Sequence, residues 1–404
     1  MSLQVEGGTL RFHSLSFLPE GGEVVVGRTD VDSYGVFPDD GAALLQELVA
    51  GRATEDAAQW YSKTYGEDVD MAEFVETLRE LDFLRVDDVA RVGPVRWQRL
   101  GRAMFSPPAW CCYALLVAVA VVLLVLDPRL LPSRQHIFFS PYLLVIEVTL
   151  FCGQLPLSMW HEMFHVLAGR RLGLPCRTRV GRRFYLLVFE TAIDGLVVVP
   201  RRKRYLPMLA GMLADLLGMS VLTIVAYLTR EPDGTISLVG HVCLALVLTS
   251  VLRVVWQFYF FMRTDIYYLV TTVLGCVDLH GTSSAMIGNG VKRLLGRRDR
   301  LIDPENWHPR DRQVAKWYAP LHVAGYAVML AVLVFAIVPI GWQFLTTAMH
   351  TLLSGDARPA RLADAAAMLV INVSQLAFAA FLAVRERRGR GTLSSQEKNF
   401  KERA

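Results

Sequence analysis

Hydropathy divides the chain near residue 94: before it, apolar and polar positions alternate or recur at helical spacing in short bursts, and after it long apolar runs are separated by basic loops. In the first part, Arg11 to Leu18 and Glu23 to Gly27 read as two strands, with Pro19-Glu20-Gly21-Gly22 as the turn of a hairpin. Three helical patterns follow. One runs from Asp40 to Ala50, closed by Gly51; the second from Thr54, as N-cap, to Tyr65; the third from Asp70 to Leu81, ahead of a short strand from Phe83 to Val86. Leu44, Leu45, Leu48, Trp60, Tyr61, Phe74, Leu78 and Leu81 recur at helical spacing and form the expected core of this unit.

In the second part, six apolar stretches are long enough to span a bilayer: Ala109 to Leu126, Tyr142 to His161 and beyond, Tyr205 to Leu228, Leu238 to Phe261, Leu321 to Trp342, and Ala365 to Val384. Arg91, Arg96, Arg99 and Arg102 precede the first, and a basic loop from Arg170 to Arg204 follows the second. Further clusters follow the fourth, from Arg263 through Arg300, and the sixth, from Arg385 to Arg390, whereas Thr229 to Ser237 carries little positive charge. Positive-inside counting puts every basic loop and both termini in the cytoplasm. The expected fold class is mostly α: a polytopic α-helical membrane protein of about six transmembrane helices over residues 94–404, preceded by a small α+β domain over residues 1–93.

Composition agrees. The 404 residues are 53% hydrophobic yet 20% charged, with mean hydropathy +0.34, as expected of a soluble part joined to a membrane part. Net charge is only +4 and the arginines lie beside apolar segments, an arrangement that suits a bilayer surface and not nucleic acid. Met1 to Glu23 lacks the apolar core of a signal peptide, so the amino terminus is expected to stay cytoplasmic. Cys111, Cys112, Cys152, Cys243 and Cys276 lie in or near apolar runs and Cys176 in a loop, with no CxxC, so reduced thiols are expected.

The candidate chemistry sits at the end of the second apolar run, in His161-Glu162-Met163-Phe164-His165. Residues four apart on a helix share a face, so two imidazoles can reach one zinc ion while Glu162 falls beside its water. Two histidines and a glutamate facing lipid without a partner would be costly. A third ligand must come from elsewhere. Asp265, at the end of the fourth apolar run and level with the histidines, is the first choice. Asp215, near the middle of the third, is the second, although pairing with Arg253 at similar depth is its more natural role. Asp194-Gly195 reads as a hairpin turn, and Glu147 lies about four turns back on the same helix as the histidines. His241 and His322 read as packing histidines, and Tyr267 and Tyr268 as part of an interfacial aromatic belt. Ala210-Gly211 with Gly218 suggests close helix packing. The segment from Arg182 to Val199, with Val197, Val198 and Val199, reads as strand-like and a candidate edge for an extended peptide.

Two resemblances sharpen these expectations. The hairpin and three helices, with Val36-Phe37, Ala42 to Gly51, Thr54-Glu55-Asp56-Ala57, Tyr65-Gly66 and Phe74 through Leu84, resemble the PqqD-like peptide-recognition domain, a winged-helix fold. That resemblance implies a leader peptide added as a strand to the sheet edge and packed on the third helix. From about Leu143 to Leu279 the chain resembles the site-2 protease family of intramembrane zinc metalloproteases, in particular its peptide zinc metalloprotease branch. His161, Glu162 and His165 match that family's metal-and-base motif, Arg204 through Gly211 its arginine-to-alanine-glycine helix start, and Arg263-Thr264-Asp265 with Tyr267-Tyr268 its aspartate motif. Ile266 stands where the family has glycine, and its upstream Asn-x-x-Pro is absent.

The expectation is a membrane-embedded zinc endopeptidase that processes a ribosomally synthesised precursor peptide, with zinc on His161, His165 and Asp265, Glu162 as catalytic base, and the leader docked by the first domain. A peptide-modifying enzyme or an exporter would be a natural companion. Two other functions share these features: a non-proteolytic membrane peptide-binding, immunity or export protein, and regulated intramembrane proteolysis of a membrane signalling protein.

Overall fold

The computed structural model describes residues 9–20, 22–28, 33–85, 95–183, 186–259, 262–276, 278–297, 301–353, 358–375, 377–378 and 381. Its first unit is an antiparallel sheet of β1 (Leu15–Glu20), β2 (Glu23–Arg28) and β3 (Tyr34–Phe37), covered by α1 (Asp39–Val49), α2 (Thr54–Tyr65) and α3 (Met71–Glu80). Central β2 carries buried Val24 and Val26 against Phe37, Leu44, Leu45, Leu48 and Leu78, while Val25 between them faces the opposite side of the sheet. The hairpin exists, but β1 starts later than expected and runs through Pro19 and Glu20. Proline lacks a ladder donor, and β1 tolerates it as an edge strand. Thr54 is not a cap: it is the first helical residue, after Ala53, which makes no side-chain cap bond. Asp70 does cap, accepting from the N–H groups of Ala72 and Glu73 at 2.9 and 3.1 Å. The expected strand from Phe83 reduces to one bridge, Leu84 with Phe12; Val86 and the expected boundary at 93/94 lie outside the described residues.

The remainder is helical: α4 (Gln98–Met104), α5 (Pro107–Leu126), α6 (Leu143–Arg171), α7 (Arg201–Leu228), α8 (Leu238–Gln257), α9 (Asp265–Leu274), α10 (Leu279–Leu294), α11 (Pro309–Val332) and α12 (Val338–Leu353), with a hairpin of β4 (Cys176–Arg183) and β5 (Leu186–Ile193) after α6. Among the described residues five helices are long and apolar enough to cross a membrane: α5, α6, α7, α8 and the stretch from Pro309 to Phe335. That is one fewer than expected. The sixth stretch is helical over residues 359–375, and its end at Val384 lies outside the described residues. The fifth does not stop at Trp342: a single π-helical turn, Leu333–Ile337, joins α11 to α12.

Two corrections matter for the site. The fourth apolar run is not one helix to Phe261: α8 ends at Gln257, and Asp265 opens the separate helix α9. The segment from Arg182 to Val199 is not a single strand either. Its strands are β4 and β5, whereas Val197 and Val198 lie in a 3-10 turn, Leu196–Val198, entered through Asp194-Gly195 with Gly195 at φ +72°. Asp194-Gly195 is therefore the exit from β5, not the hairpin's own turn. Cys176 begins β4 and does not lie in a loop, and all six cysteines are unbridged.

Helices α6 and α7 form the frame of the site. Phe164, Leu167 and Ala168 of α6 pack on Ala210, Ala214 and Leu217 of α7, a spacing of three and four that keeps one face of each helix apolar. His161 and His165 fall on the same buried face of α6. The sheet of the first unit touches this frame just before α7: the Ser16 hydroxyl donates to the Val198 carbonyl at 3.4 Å, and Gly27 lies against Val198 closely enough that a Cβ there would meet its Cγ1 at 2.7 Å.

Candidate metal centre

The three expected ligands come together. Nε2 of His161, Nε2 of His165 and Oδ2 of Asp265 lie 3.2 Å (His161–His165), 3.2 Å (His161–Asp265) and 3.3 Å (His165–Asp265) apart. The outward-facing nitrogens of the two rings are held from behind. Nδ1 of His165 donates to the Pro207 carbonyl at 2.7 Å, and Nδ1 of His161 donates to Oδ2 of Asp215 at 3.0 Å. A carbonyl can only accept, so the proton of a neutral His165 ring sits on Nδ1 and its Nε2 carries a lone pair; the Asp215 carboxylate fixes His161 the same way. Two nitrogen lone pairs and a carboxylate oxygen thus converge on one point.

That donor set fits a small divalent cation. A tetrahedron whose centre lies about 2.0–2.1 Å from each corner has edges of about 3.3 Å, which is the spacing of these three atoms. The hydrogen-bonded outer partners on both rings are what a histidine-bound metal requires to keep each imidazole aimed. Gly211 provides the room. A Cβ built there would overlap Nε2 of both histidines, so the residue marked by the sequence for helix packing instead clears space beside the converging nitrogens.

Asp215 is 2% exposed and pairs with Arg253 at 2.5 Å, as the depth argument expected. Arg253 also donates to Gln154 Oε1 at 3.1 Å and Ser158 Oγ at 3.0 Å, both on α6. Asp215 therefore bridges Arg253 and His161 from behind the ring, away from the three converging atoms. Asp194 pairs with Arg177 at 3.2 Å and Glu147 accepts from Asn372 at 3.0 Å, leaving both engaged elsewhere.

Glu162 faces a different neighbour. Its Oε2 accepts from the Thr191 hydroxyl of β5 at 2.7 Å. Asp265 is placed through Gln257, whose Oε1 accepts from the Asp265 N–H at 3.1 Å while its carbonyl accepts from the Thr264 hydroxyl at 2.6 Å. An aspartate in the first turn of α9 also suits the positive end of that helix. The sequence gives no signal for Thr191, Gln257 or the Pro207 carbonyl. Ile266 is buried beside the site, at the position where glycine was expected from resemblance.

His161, Glu162, His165 and Asp265 line a cavity of about 1330 Å³ that is shared with Phe189 to Ile193 of β5 and with Glu23, Val25, Tyr34 and Val36 of the first sheet. Val36 is 42% exposed on the sheet's free edge strand. Tyr268 lines this cavity, but Tyr267 is buried: its hydroxyl accepts from the His280 N–H at 3.0 Å, so it is not a surface belt residue. His322 hydrogen-bonds Ser283 at 3.1 Å and His241 meets His136 at 3.1 Å, as expected of packing histidines. No known protein family, curated protein or solved structure matches the chain.

Proposed function

We propose that the protein is a membrane-embedded zinc endopeptidase that processes a ribosomally synthesised precursor peptide, docked by residues 1–93 acting as a PqqD-like recognition domain, and that it resembles the site-2 proteases in mechanism. The observation that carries this reading is the convergence of two lone-pair nitrogens and one carboxylate oxygen at tetrahedral spacing, with Glu162 on the wall of the same cavity. His161, His165 and Asp265 would hold the ion. Zinc bound there would act as a Lewis acid on the scissile carbonyl and acidify a water molecule.

The chain's own residues supply the rest. Glu162 takes a proton from the attacking water and returns it to the amine as the C–N bond breaks. Thr191 holds the Glu162 carboxylate toward the cavity. A helical substrate hides its carbonyls, so the scissile segment must be extended, and β5, which lines the cavity, offers main-chain groups for that. The free edge β3, on the same cavity, is the corresponding place for the leader. The proposed location is the cytoplasmic membrane, with both termini and the docking domain in the cytoplasm.

Mass spectrometry of a candidate precursor with the wild type and with Glu162→Gln tests this. A fragment made only by the wild type, with equal metal content in both proteins, is the expected result. Cleavage by the glutamine variant at the wild-type rate overturns the assignment of the base. No fragment from either protein, with the peptide bound, would favour the non-proteolytic reading.

A further inference from the structure

A second pocket, of about 470 Å³, opens between α4, the end of α6 and the start of α7. Four cationic side chains line it: Arg102, Arg171, Arg202 and Lys203. No acidic residue lines it, and among the described residues none of the four has a side-chain hydrogen bond or ion pair. This sets them apart from their neighbours. Arg170 stacks on Trp97, and Arg204 donates to the Val199 carbonyl at 2.5 Å. Cations gathered without a counter-ion repel one another, and the arrangement is favourable only if an anion joins it.

The rest of the wall is apolar: Ala168, Leu172, Leu206 and Pro207. A free anion would gain nothing from that surface, whereas a phosphodiester carrying a glycerol backbone and acyl chains would cover it. The first turn of α7, which carries Arg202 and Lys203, adds its positive dipole end on the same side. The pocket also lies at the ends of helices long and apolar enough to reach a bilayer surface, beside short helix α4, where the preceding Trp97 and the helix's own Leu100 are 55% and 47% exposed. We propose that this pocket binds the phosphate of an anionic phospholipid headgroup. The site is independent of the candidate metal centre's chemistry, although Pro207 belongs to both: it lines this pocket, and its carbonyl accepts from His165.

The test uses the full chain, purified in neutral detergent, and follows the thermal unfolding midpoint and native mass spectra on adding phosphatidylglycerol, phosphatidylcholine or inorganic phosphate. Phosphatidylglycerol should be retained and should raise the midpoint; the other two should do neither. One basic residue at an anionic surface is worth ~1 kcal/mol, roughly fivefold, so Arg171→Gln with Arg202→Gln should weaken phosphatidylglycerol binding roughly thirtyfold. The control, Arg293→Gln with Arg297→Gln, removes equal charge around the end of α10 and should change it less than about twofold. Arg102→Gln with Lys203→Gln changes two exposed side chains and repeats the test if the first variant does not fold. Equal losses in pocket and control variants, or unchanged binding in the pocket variants, overturn the site. An equal midpoint shift with inorganic phosphate overturns the lipid as its ligand.

Discussion

Asp215 accepts a hydrogen bond from Nδ1 of His161 at 3.0 Å, on the side of the ring away from Asp265. That contact separates the two aspartates by role. Asp265→Asn should abolish stoichiometric metal, because a ligand is lost. Asp215→Asn should keep the site but weaken it by about 10–100-fold, the usual cost of removing a partner behind a metal-bound histidine. Competition with a chelator of known affinity measures both, and equal loss in the two variants would refute the division.

Gly211 faces the same nitrogens from α7, and a methyl group there has nowhere to go. Gly211→Ala should eliminate metal binding while the helical circular dichroism spectrum stays intact, since alanine favours a helix more than glycine by about 1 kcal/mol. Metal analysis by plasma mass spectrometry beside the spectrum is the check. Full metal content in this variant would contradict the packing.

Thr191 reaches Glu162 from a different element. Thr191→Val removes the hydroxyl while keeping the shape, and should lower kcat with little change in KM or metal content. Thr191→Ser should restore kcat. An unchanged kcat in Thr191→Val would contradict a role for the hydroxyl.

Arg253 neutralises the fully buried Asp215. Arg253→Met leaves that charge unpaired and should destabilise the protein by roughly 3–5 kcal/mol, whereas Arg253→Met with Asp215→Leu should recover most of the loss. Urea or detergent-denaturation curves of the four proteins give the comparison.

Asp127 closes the end of α5. Hydrogen bonds from Arg129, with Arg230 beside it, hold its carboxyl down to about 2. Its folded-state value lies below that of an unfolded aspartate, about 3.9, so its stabilisation is complete above that value and is lost as pH falls through about 2. Asp127→Asn should therefore lower the unfolding midpoint at neutral pH, and the gap to wild type should close progressively below pH 4. A gap that widens on acidification would reverse the sign of the argument.

The cluster of His161, His165 and Asp265 was legible because its chemistry is local or scarce. His161 and His165 carry their relation in a spacing of four, and Asp265 is among the few acids near an apolar run. Asp215 and Arg253 could be paired by depth alone. What was not legible depends on backbone or on long-range packing. Phe258 and Tyr259 continue the hydropathy of α8 past its end, which conceals the break before α9. The Pro207 carbonyl could belong to any residue type, and Thr191 meets Glu162 across the α6–β5 connection without any local motif. The strand β3 has only four residues with Gly35 among them, too short for alternation to announce it.

The first sheet and Glu162 share one cavity, and that has a geometric consequence. On the proposed reading, a peptide anchored along β3 reaches Glu162 across a gap of fixed width, so the cut falls at a set count of residues from the anchor. Such an enzyme would be a ruler more than a reader: the amino acids flanking the severed bond could vary freely, while inserting or deleting residues in the tether would move the bond that is severed.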